Sequence, residues 1–269
     1  MIKIIVAEIQ NLKITLEFRL TIADYAKFSI KKMNHTLTIL VPVYNEEANL
    51  RRVEKELQNY INQAKIPASV LFVNDGSKDT SLALIRQICK GNPVFNYIDF
   101  DKNYGLSTAI KAGIDYSNTS LIGYIDADLQ TSPNDFDLLL KYIDEYDLVT
   151  GVRFNRKDRF VKNISSKIAN GIRRNFTHDG MDDTGCPLKI IKADYAKRIP
   201  MFKGLHRFLP ALILLQNGKV KQVPIQHFAR IAGKAHFGFW NRSLGPLMDC
   251  FAYLWIKRKY INYNVVEKE

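Results

Sequence analysis

The sequence has no long apolar run. Its longest stretch without Asp, Glu, Lys or Arg extends from Met33 to Asn45 and is 13 residues long, whereas a helix that spans a bilayer needs about 20. We therefore expect no transmembrane helix. The amino terminus also lacks the basic head, apolar core and small-residue cleavage site of a secretory signal peptide, so we expect a cytoplasmic location.

Cysteine is scarce, and two common nucleotide-binding motifs are absent. Cys89, Cys186 and Cys250 lie far apart, which argues against paired zinc-ligand spacing and against an even-numbered disulfide framework. Neither G-x-x-x-x-G-K-[ST] nor G-x-G-x-x-G occurs. These absences argue against a P-loop NTPase and a dinucleotide-dependent oxidoreductase. A nucleotide ligand would instead be held by acidic residues and a metal ion.

Positive charge is in excess. Lys and Arg total 39 against 27 Asp and Glu, which gives a net charge of +12. Such an excess indicates an anionic partner: nucleic acid, a phosphorylated substrate or an anionic membrane surface. The sequence contains no recognisable nucleic-acid-binding module, and its acidic loops would repel a polynucleotide, so we expect no nucleic acid partner.

Strand and helix patterns alternate between residues 37 and 151. Short β-branched runs are each followed by a segment with apolar residues at helical spacing. This alternation predicts an α/β fold with a mostly parallel sheet, and such sheets bind ligands at the carboxyl ends of their strands. The predicted strands are 37–41, 69–73, 94–100, 120–125 and 147–151.

Loops rich in acidic residues, asparagine or glycine follow four of these strands. The sharpest signal is Asp126-Ala127-Asp128, because carboxylates two residues apart on an extended chain point to the same side. Their mutual repulsion favours a bound cation, and Mg²⁺ or Mn²⁺ prefers carboxylate and phosphate oxygens. The pattern predicts a site for a metal ion and a diphosphate. A pair of solvated loop carboxylates is the alternative.

Three segments resemble the motifs of family 2 glycosyltransferases: 41–46 (VPVYNE), 74–79 (NDGSKD) and 126–130 (DADLQ). The likeness is greatest to the branch that contains dolichyl-phosphate mannose synthase and undecaprenyl-phosphate sugar transferases, and it covers roughly residues 37–263. It implies the GT-A fold, a Rossmann-like three-layer α/β/α architecture of nucleotide-diphospho-sugar transferases. It also implies an enzyme of the hexosyltransferase class.

The resemblance assigns a role to each matching residue. The nucleotide of a UDP-sugar or GDP-mannose donor would be held by Pro42, Tyr44, Glu46, Asp75, Lys102, Gly105, Asp126, Arg230 and Lys234. The metal ion, Mg²⁺ or Mn²⁺, would be held by Asp126, Asp128 and Gln130. The acceptor phosphate would be held by Arg153, Lys162 and Ser166. The predicted catalytic residues are Asp126, Asp128, Arg153 and Asp183.

The matches are incomplete at three positions. Asn74 stands where many relatives have an acidic residue, and Lys162 stands where the family often has Arg. A lysine cannot form the bidentate fork of an arginine with phosphate. In the loop that contains Arg230, Gly233 is followed directly by Lys234, whereas most relatives have Gly-x-Ser-Lys.

The expected reaction is an inverting, metal-dependent transfer of a sugar to a polyprenyl phosphate of the undecaprenyl or dolichyl type. A phosphomonoester is mostly a dianion at pH 7 and needs no base, whereas a sugar hydroxyl does. The alternative is transfer to a glycan hydroxyl in surface polysaccharide synthesis, with Asp183 as the general base. A nucleotidyltransferase is a further alternative, although its usual Gly-rich, basic first loop is missing.

Three sequence regions are expected. Residues 1–36 form an N-terminal extension that precedes the alternating strands and helices. Either Met33 is the natural start, or the extension adds a strand or helix that packs on the domain. Residues 37–236 form the glycosyltransferase domain. Residues 237–269 combine a basic cluster, Lys257-Arg258-Lys259, with an apolar stripe at helical spacing: Leu244, Leu247, Met248, Phe251, Leu254 and Trp255. This last region predicts contact with an anionic membrane surface at the inner face of the cell membrane or with a membrane partner protein; packing on the core or on a second subunit is the alternative.

Overall fold

The computed structural model describes residues 35–154, 171, 174–229, 244–263 and 266–267. Its centre is a seven-stranded sheet with the order β3-β2-β1-β4-β6-β5-β7. The strands are β1 (Leu37–Val43), β2 (Ala68–Asn74), β3 (Phe95–Asp99), β4 (Leu121–Tyr124), β5 (Leu148–Phe154), β6 (Lys189–Lys192) and β7 (Val220–Gln226).

Among the helical segments in the described part of the chain, seven α-helices surround the sheet. They are α1 (Glu47–Gln63), α2 (Ser81–Cys89), α3 (Leu106–Tyr116), α4 (Phe136–Leu140), α5 (Ala193–Lys197), α6 (Leu209–Leu215) and α7 (Leu244–Lys259). A 3₁₀ turn over Pro133–Asp135 leads into α4. The hydroxyl of Ser132 caps this turn by accepting a hydrogen bond from the backbone N–H of Asn134.

The strand directions bring six strand ends to one edge of the sheet. β1 pairs in parallel with β2 and β4, β2 with β3, and β5 with β7. Only β6 is antiparallel to its neighbours among the described strands, and because β4 and β5 both run opposite to it, they run parallel to each other. The predicted α/β fold with a mostly parallel sheet is confirmed, with β6 as an insertion that the alternating pattern did not predict.

The core fills both faces of the sheet. On one face, Ile39 and Val41 of β1 join a buried cluster with α1, α2 and α4. On the other face, Leu40 joins a second cluster with α3, α6 and α7. Because successive side chains of β1 point to opposite faces of the sheet, the strand packs against a layer of helices on each face. Gly113 of α3 lies so close to Leu40 that a Cβ atom there would come within 2.7 Å of its side chain.

Helix α7 packs on the core through a different face from the predicted apolar stripe. Cys250 and Tyr253 are buried in the second cluster. Met248, Phe251 and Trp255 of the stripe are 64%, 53% and 66% exposed. No helix in the described ranges is long and apolar enough to span a membrane.

Candidate functional site

The two predicted metal-binding carboxylates lie just beyond the end of β4, at the edge where the strand ends meet. Asp126 accepts a 2.6 Å hydrogen bond from the hydroxyl of Tyr124. The chain then turns sharply: Leu129 has a φ of 44°, and its N–H donates to the carbonyl of Asp126 over 3.1 Å. Within this turn Asp128 is buried, and its Oδ1 accepts from the N–H of Gln130 over 3.3 Å.

Two neighbouring elements hold this turn in place. Arg52 of α1 donates a hydrogen bond from its guanidinium to the carbonyl of Asp128. On the other side, the backbone N–H of Phe228 donates to the carbonyl of Gln130 over 2.9 Å, and the amide of Gln130 donates to the carbonyl of Phe228 over 3.3 Å. The side chain of Gln130, predicted as a metal ligand, therefore contacts the segment after β7.

The carboxylate pair is charged and poorly solvated. Burial, followed by the charge of Asp128, raises the pKa of Asp126 to about 6, against the opposing effects of Tyr124, Lys189 and Arg153. A divalent cation would relieve this repulsion. In the described ranges, no three His, Cys, Asp or Glu side chains are grouped to hold a metal ion. The two carboxylates therefore fit a cation whose remaining ligands are phosphate oxygens or water.

Asp75, at the end of β2, organises the loop before α3. Its carboxylate accepts hydrogen bonds from the backbone N–H groups of Tyr104 over 2.7 Å and Gly105 over 2.9 Å, and from the amide of Asn103 over 3.0 Å. Burial raises the pKa of Asp75, while the two backbone hydrogen bonds act in the opposite direction. Asp75, predicted to bind the nucleotide, therefore forms these hydrogen bonds with the protein's own loop.

The same loop approaches the turn after β2 very closely. Gly76 has a φ of 64°, and a Cβ atom there would lie 2.3 Å from the backbone carbon of Lys102. The ammonium of Lys102 in turn lies 5.3 Å from the ring centre of Tyr104. Lys102 and Gly105, both predicted to contact the nucleoside, therefore belong to one compact loop.

The loop after β1 is tied to the loop after β2. The amide oxygen of Asn45 accepts from the N–H of Lys78 over 2.7 Å, and the N–H of Asn45 donates to the hydroxyl of Ser77 over 3.0 Å. The carboxylate of Glu46 accepts from the amide of Asn49 over 2.6 Å. The predicted nucleotide contacts Pro42, Tyr44 and Glu46 are partly exposed along this stretch.

Arg153, near the end of β5, is joined to Asp183 by a two-pronged ion pair. Nε donates to Oδ2 over 2.7 Å, and Nη2 donates to Oδ1 over 2.8 Å. Burial, the largest single effect, disfavours the charged guanidinium, but the hydrogen bonds and the charge of Asp183, with smaller contributions from Cys186 and Asp126, together raise the pKa of Arg153. The structure thus brings together two residues that the sequence analysis assigned to acceptor binding and to base catalysis.

Four further predicted residues, Lys162, Ser166, Arg230 and Lys234, lie outside the described residues, as do residues 1–34 of the predicted extension 1–36. Sequence reasoning in turn missed Arg52, Asn103, Tyr124 and Lys189. A usable signal existed for Lys189, because this cation interrupts the apolar run Leu188 to Ile191. No local pattern marks Arg52 or Asn103, because their partners lie 76 and 28 residues away in the sequence.

Two curated proteins are similar to most of the chain. Dodecaprenyl-phosphate galacturonate synthase of Rhizobium johnstonii is 29% identical over 232 residues, which cover 82% of this chain and 67% of that protein. Undecaprenyl-phosphate 4-deoxy-4-formamido-L-arabinose transferase of Edwardsiella ictaluri is 27% identical over 205 residues, which cover 75% of this chain and 63% of that protein. The match thus spans about two thirds of the length of each relative.

Solved structures share the fold at low sequence identity. Glucosyl-3-phosphoglycerate synthase from Mycobacterium tuberculosis superposes with a TM-score of 0.63 at 14% identity, covering 86% of this chain and 84% of that one. A mannosyltransferase from Pyrobaculum calidifontis, solved with GDP-Man and Mn²⁺, gives a TM-score of 0.58 at 17% identity, covering 87% and 70%. These likenesses confirm the GT-A fold.

The family model described as glycosyl transferase family 2 matches residues 38–199, more than half of the chain. The match begins in β1, takes in the turns around Asp75 and Asp126, and ends after Asp183 and β6. The chain therefore belongs to glycosyl transferase family 2.

Proposed function

We propose that this glycosyltransferase moves a sugar from a nucleotide-diphosphate sugar to the phosphate of a polyprenyl phosphate, with inversion at the anomeric carbon. Family membership supports sugar transfer. The names of both curated relatives describe transfer to a polyprenyl phosphate, which supports the acceptor. Direct attack by the phosphate on the anomeric carbon would invert that centre.

The observation that carries the acceptor assignment is the pairing of Arg153 with Asp183. A sugar hydroxyl needs a general base within hydrogen-bond reach. The sequence offers Asp183 for that role, but both of its carboxylate oxygens accept hydrogen bonds from Arg153. A carboxylate neutralised in this way is a weak base. A phosphomonoester is already a nucleophilic dianion at pH 7, so it suits a site that offers orientation and positive charge.

On the donor side, Asp126 and Asp128 would hold a divalent cation together with the diphosphate. Such a cation, when bound, stabilises the negative charge that develops on the departing nucleoside diphosphate. The same turn, fixed by Arg52 and Gln130, keeps the two carboxylates at the edge of the sheet. Mn²⁺ and UDP or GDP-Man accompany related folds in their crystal structures, which supports this class of donor site.

The nucleoside would lie along the loops after β1, β2 and β3. In this proposal Pro42, Tyr44 and Glu46 line the pocket, while Asp75 acts by shaping the loop that carries Lys102 and Gly105. Since the Asp75 carboxylate is held by three N–H donors of that loop, its loss would disturb the loop as well as any contact with the base. Arg230 and Lys234 remain the proposed partners of the diphosphate.

The acceptor phosphate would approach Arg153 from the edge of the sheet, with Lys162 and Ser166 as further proposed ligands. The lipid chain requires a membrane, and α7 offers a surface for it: Met248, Phe251 and Trp255 are exposed beside Lys257, Arg258 and Lys259. Aromatic side chains next to a basic cluster favour an anionic lipid surface. We assign residues 37–236 to catalysis and residues 237–269 to this docking.

The test is sugar transfer in vitro. The purified chain is incubated with radiolabelled UDP-sugars or GDP-mannose, Mg²⁺ or Mn²⁺, and undecaprenyl phosphate in detergent. We expect label to enter the organic phase with one donor and to be lost with EDTA. Failure with every common donor would overturn the acceptor assignment. Charge reversal at Lys162 should strongly reduce this transfer, whereas an enzyme that uses a glycan hydroxyl would tolerate it.

A further inference from the structure

Lys189 is a fully buried cation at the centre of the sheet. Its side chain is 1% exposed, although lysine is almost never buried to this extent without a partner. As the first residue of β6, it stands directly opposite Tyr124 of β4 and opposite Thr150 of β5. Asp126 follows two residues after Tyr124, and Arg153 follows three residues after Thr150. Lys189 therefore lies between the end of β4, which leads to the proposed donor-site residue Asp126, and the end of β5, which carries the proposed acceptor-site residue Arg153.

The ammonium of Lys189 is held by neutral groups. It donates hydrogen bonds to the carbonyl of Cys186 and, over 3.3 Å, to the carbonyl of Thr184. It also lies 5.9 Å from the ring centre of Tyr124. Burying an ammonium ion costs several kcal/mol, and an apolar side chain of similar volume is often as stable or more stable at such a site. Stability alone therefore gives little reason for a lysine here.

These contacts connect Lys189 to both halves of the site. The two carbonyls belong to the turn that directly follows Asp183, the partner of Arg153. The ring beneath the ammonium belongs to Tyr124, whose hydroxyl donates to Asp126. One side chain thus contacts the segment that sets the Arg153–Asp183 pair and the residue that orients a proposed metal ligand.

We propose that Lys189 is a positioning residue that fixes the acceptor-side Arg153–Asp183 pair relative to the donor-side carboxylate Asp126. It acts through the Thr184–Cys186 turn and through Tyr124, without touching either substrate. The acceptor side of this inference depends on the proposed function.

The test compares Lys189→Met with Lys192→Met. Methionine keeps most of the side-chain volume and removes the charge. Lys192, on the same strand, is partly exposed and pairs with Asp147 over 2.9 Å, away from the turn. We expect Lys189→Met to fold, to bind the sugar nucleotide with Mn²⁺ within about threefold of the wild type, and to lose about 10- to 100-fold in kcat, as for other supporting residues around a metal site. Lys192→Met should retain the wild-type kcat.

Three outcomes would overturn the inference: a wild-type kcat in Lys189→Met, an equal kcat loss in Lys192→Met, or a joint loss of melting temperature, donor binding and kcat in Lys189→Met. If Lys189→Met does not fold, Tyr124→Phe decides, because it keeps the ring and removes only the hydroxyl that reaches Asp126. We expect Tyr124→Phe to lower kcat about tenfold, and an unchanged kcat would overturn the inference.

Failure of the proposed function would appear separately, in the wild type. If the wild type transfers no sugar to undecaprenyl phosphate, the same variants are compared by their hydrolysis of the sugar nucleotide with Mn²⁺. A lower hydrolysis rate in Lys189→Met, at unchanged donor affinity, would then support its positioning of Asp126. An unchanged hydrolysis rate would overturn it.

Discussion

Arg153 grips Asp183 through two parallel hydrogen bonds of 2.7 and 2.8 Å, and both side chains are largely buried. This geometry fixes the plane of the guanidinium, because Nε and Nη2 are both engaged. A guanidinium carries five N–H donors, and Asp183 accepts from two of the nitrogens that bear them, so the group has further donors to offer a phosphate oxygen. In the proposed function, Asp183 would orient Arg153 for binding the acceptor phosphate.

Replacing Asp183 by Asn tests this role. An amide has one acceptor oxygen, so the bidentate grip would be lost and Arg153 would be less well oriented. We expect the KM for polyprenyl phosphate to rise about tenfold, the loss of one charge-assisted hydrogen bond, with a comparatively small loss of kcat. Loss of a true general base would instead lower kcat by about 10² to 10⁴. The exposed neighbour Asp182→Asn is the control and should behave as the wild type.

A kcat loss of about a thousandfold in Asp183→Asn, with both KM values unchanged, would contradict the orienting role. It would return Asp183 to base catalysis and favour a hydroxyl acceptor. Steady-state kinetics with the donor and the acceptor varied separately distinguish the two results.

Replacing Gly76 by Ala tests the packing of the nucleoside loops. The new Cβ atom would collide with the backbone of Lys102, 2.3 Å away, and displace the loop that Asp75 holds. Gly91 is a matched control, since its φ of 77° is also positive but nothing lies within 4 Å. Gly91→Ala should cost only about 1–2 kcal/mol of unfolding free energy from the backbone and keep full donor affinity. Gly76→Ala should lose more stability and bind the nucleotide sugar at least about tenfold more weakly.

Equal donor affinities in these two variants, measured by calorimetric titration, would mean that the contact between Gly76 and Lys102 does not shape the nucleotide site.

The buried side chain of His206 should make the free energy of unfolding fall as the pH is lowered. Burial, together with the charges of Arg207 and Lys189, lowers its pKa to about 3, and its Nδ1 lies 3.1 Å from the hydroxyl of Ser107. The unfolded chain takes up a proton at this histidine near pH 6.5, whereas the folded chain takes it up only near pH 3. Its contribution to stability is therefore fully present above pH 6.5 and is lost as the pH falls.

Urea unfolding of the wild type and of His206→Asn between pH 7 and pH 4 measures this effect. Below about pH 6 the wild type should lose up to about 1.4 kcal/mol more per pH unit than the variant. Parallel pH profiles for the two proteins would contradict the buried, neutral histidine.

Replacing Phe251 and Trp255 by Ser tests the membrane surface of α7. Both rings are more than half exposed, although that of Phe251 also lies 5.5 Å from the ring of Phe176, so circular dichroism is first used to establish that the double variant folds. Binding to vesicles of phosphatidylglycerol and phosphatidylethanolamine should fall at least about tenfold, because buried apolar area and basic charge drive such binding. Tyr116→Ser, which removes an exposed ring from the end of α3, is the control and should bind as the wild type.

Vesicle sedimentation at low and moderate salt measures this binding. Unchanged sedimentation of the double variant would show that Phe251 and Trp255 of α7 do not bind the membrane surface. Dimerisation of the wild type that the double variant lacks would assign this surface to a second copy of the chain instead.

The sequence was sufficient to predict the sheet and its acidic edge. A chain in which short buried strands such as 69–73 alternate with helices can adopt few sheet topologies. In a parallel sheet, the carboxyl ends of the strands meet at one edge. The antiparallel insertion of β6 was not predictable, because its pairing with β4 joins residues nearly 70 positions apart. Lys189 does stand out in the sequence as a cation within an apolar run, but its contacts with Tyr124 depend on this long-range pairing.

Side-chain roles were harder to predict than side-chain locations. Asp75 and Asp126 both lie where the sequence analysis placed them, after β2 and β4. However, no sequence pattern reveals that the N–H groups of Tyr104 and Gly105 point at Asp75. For α7, the sequence shows the apolar stripe but not which face of the helix is buried. In the fold, Cys250 and Tyr253 pack on the core, and Met248, Phe251 and Trp255 of the stripe remain exposed.

The central claim is that the acceptor is a phosphate. The most direct measurement supplies the wild-type enzyme with its donor and with either undecaprenyl phosphate or undecaprenol, the same lipid without phosphate, and identifies the products by mass spectrometry. We expect a sugar phosphodiester from undecaprenyl phosphate and no product from undecaprenol. Sugar attached to a hydroxyl of undecaprenol, or to an added glycan in preference to undecaprenyl phosphate, would contradict it.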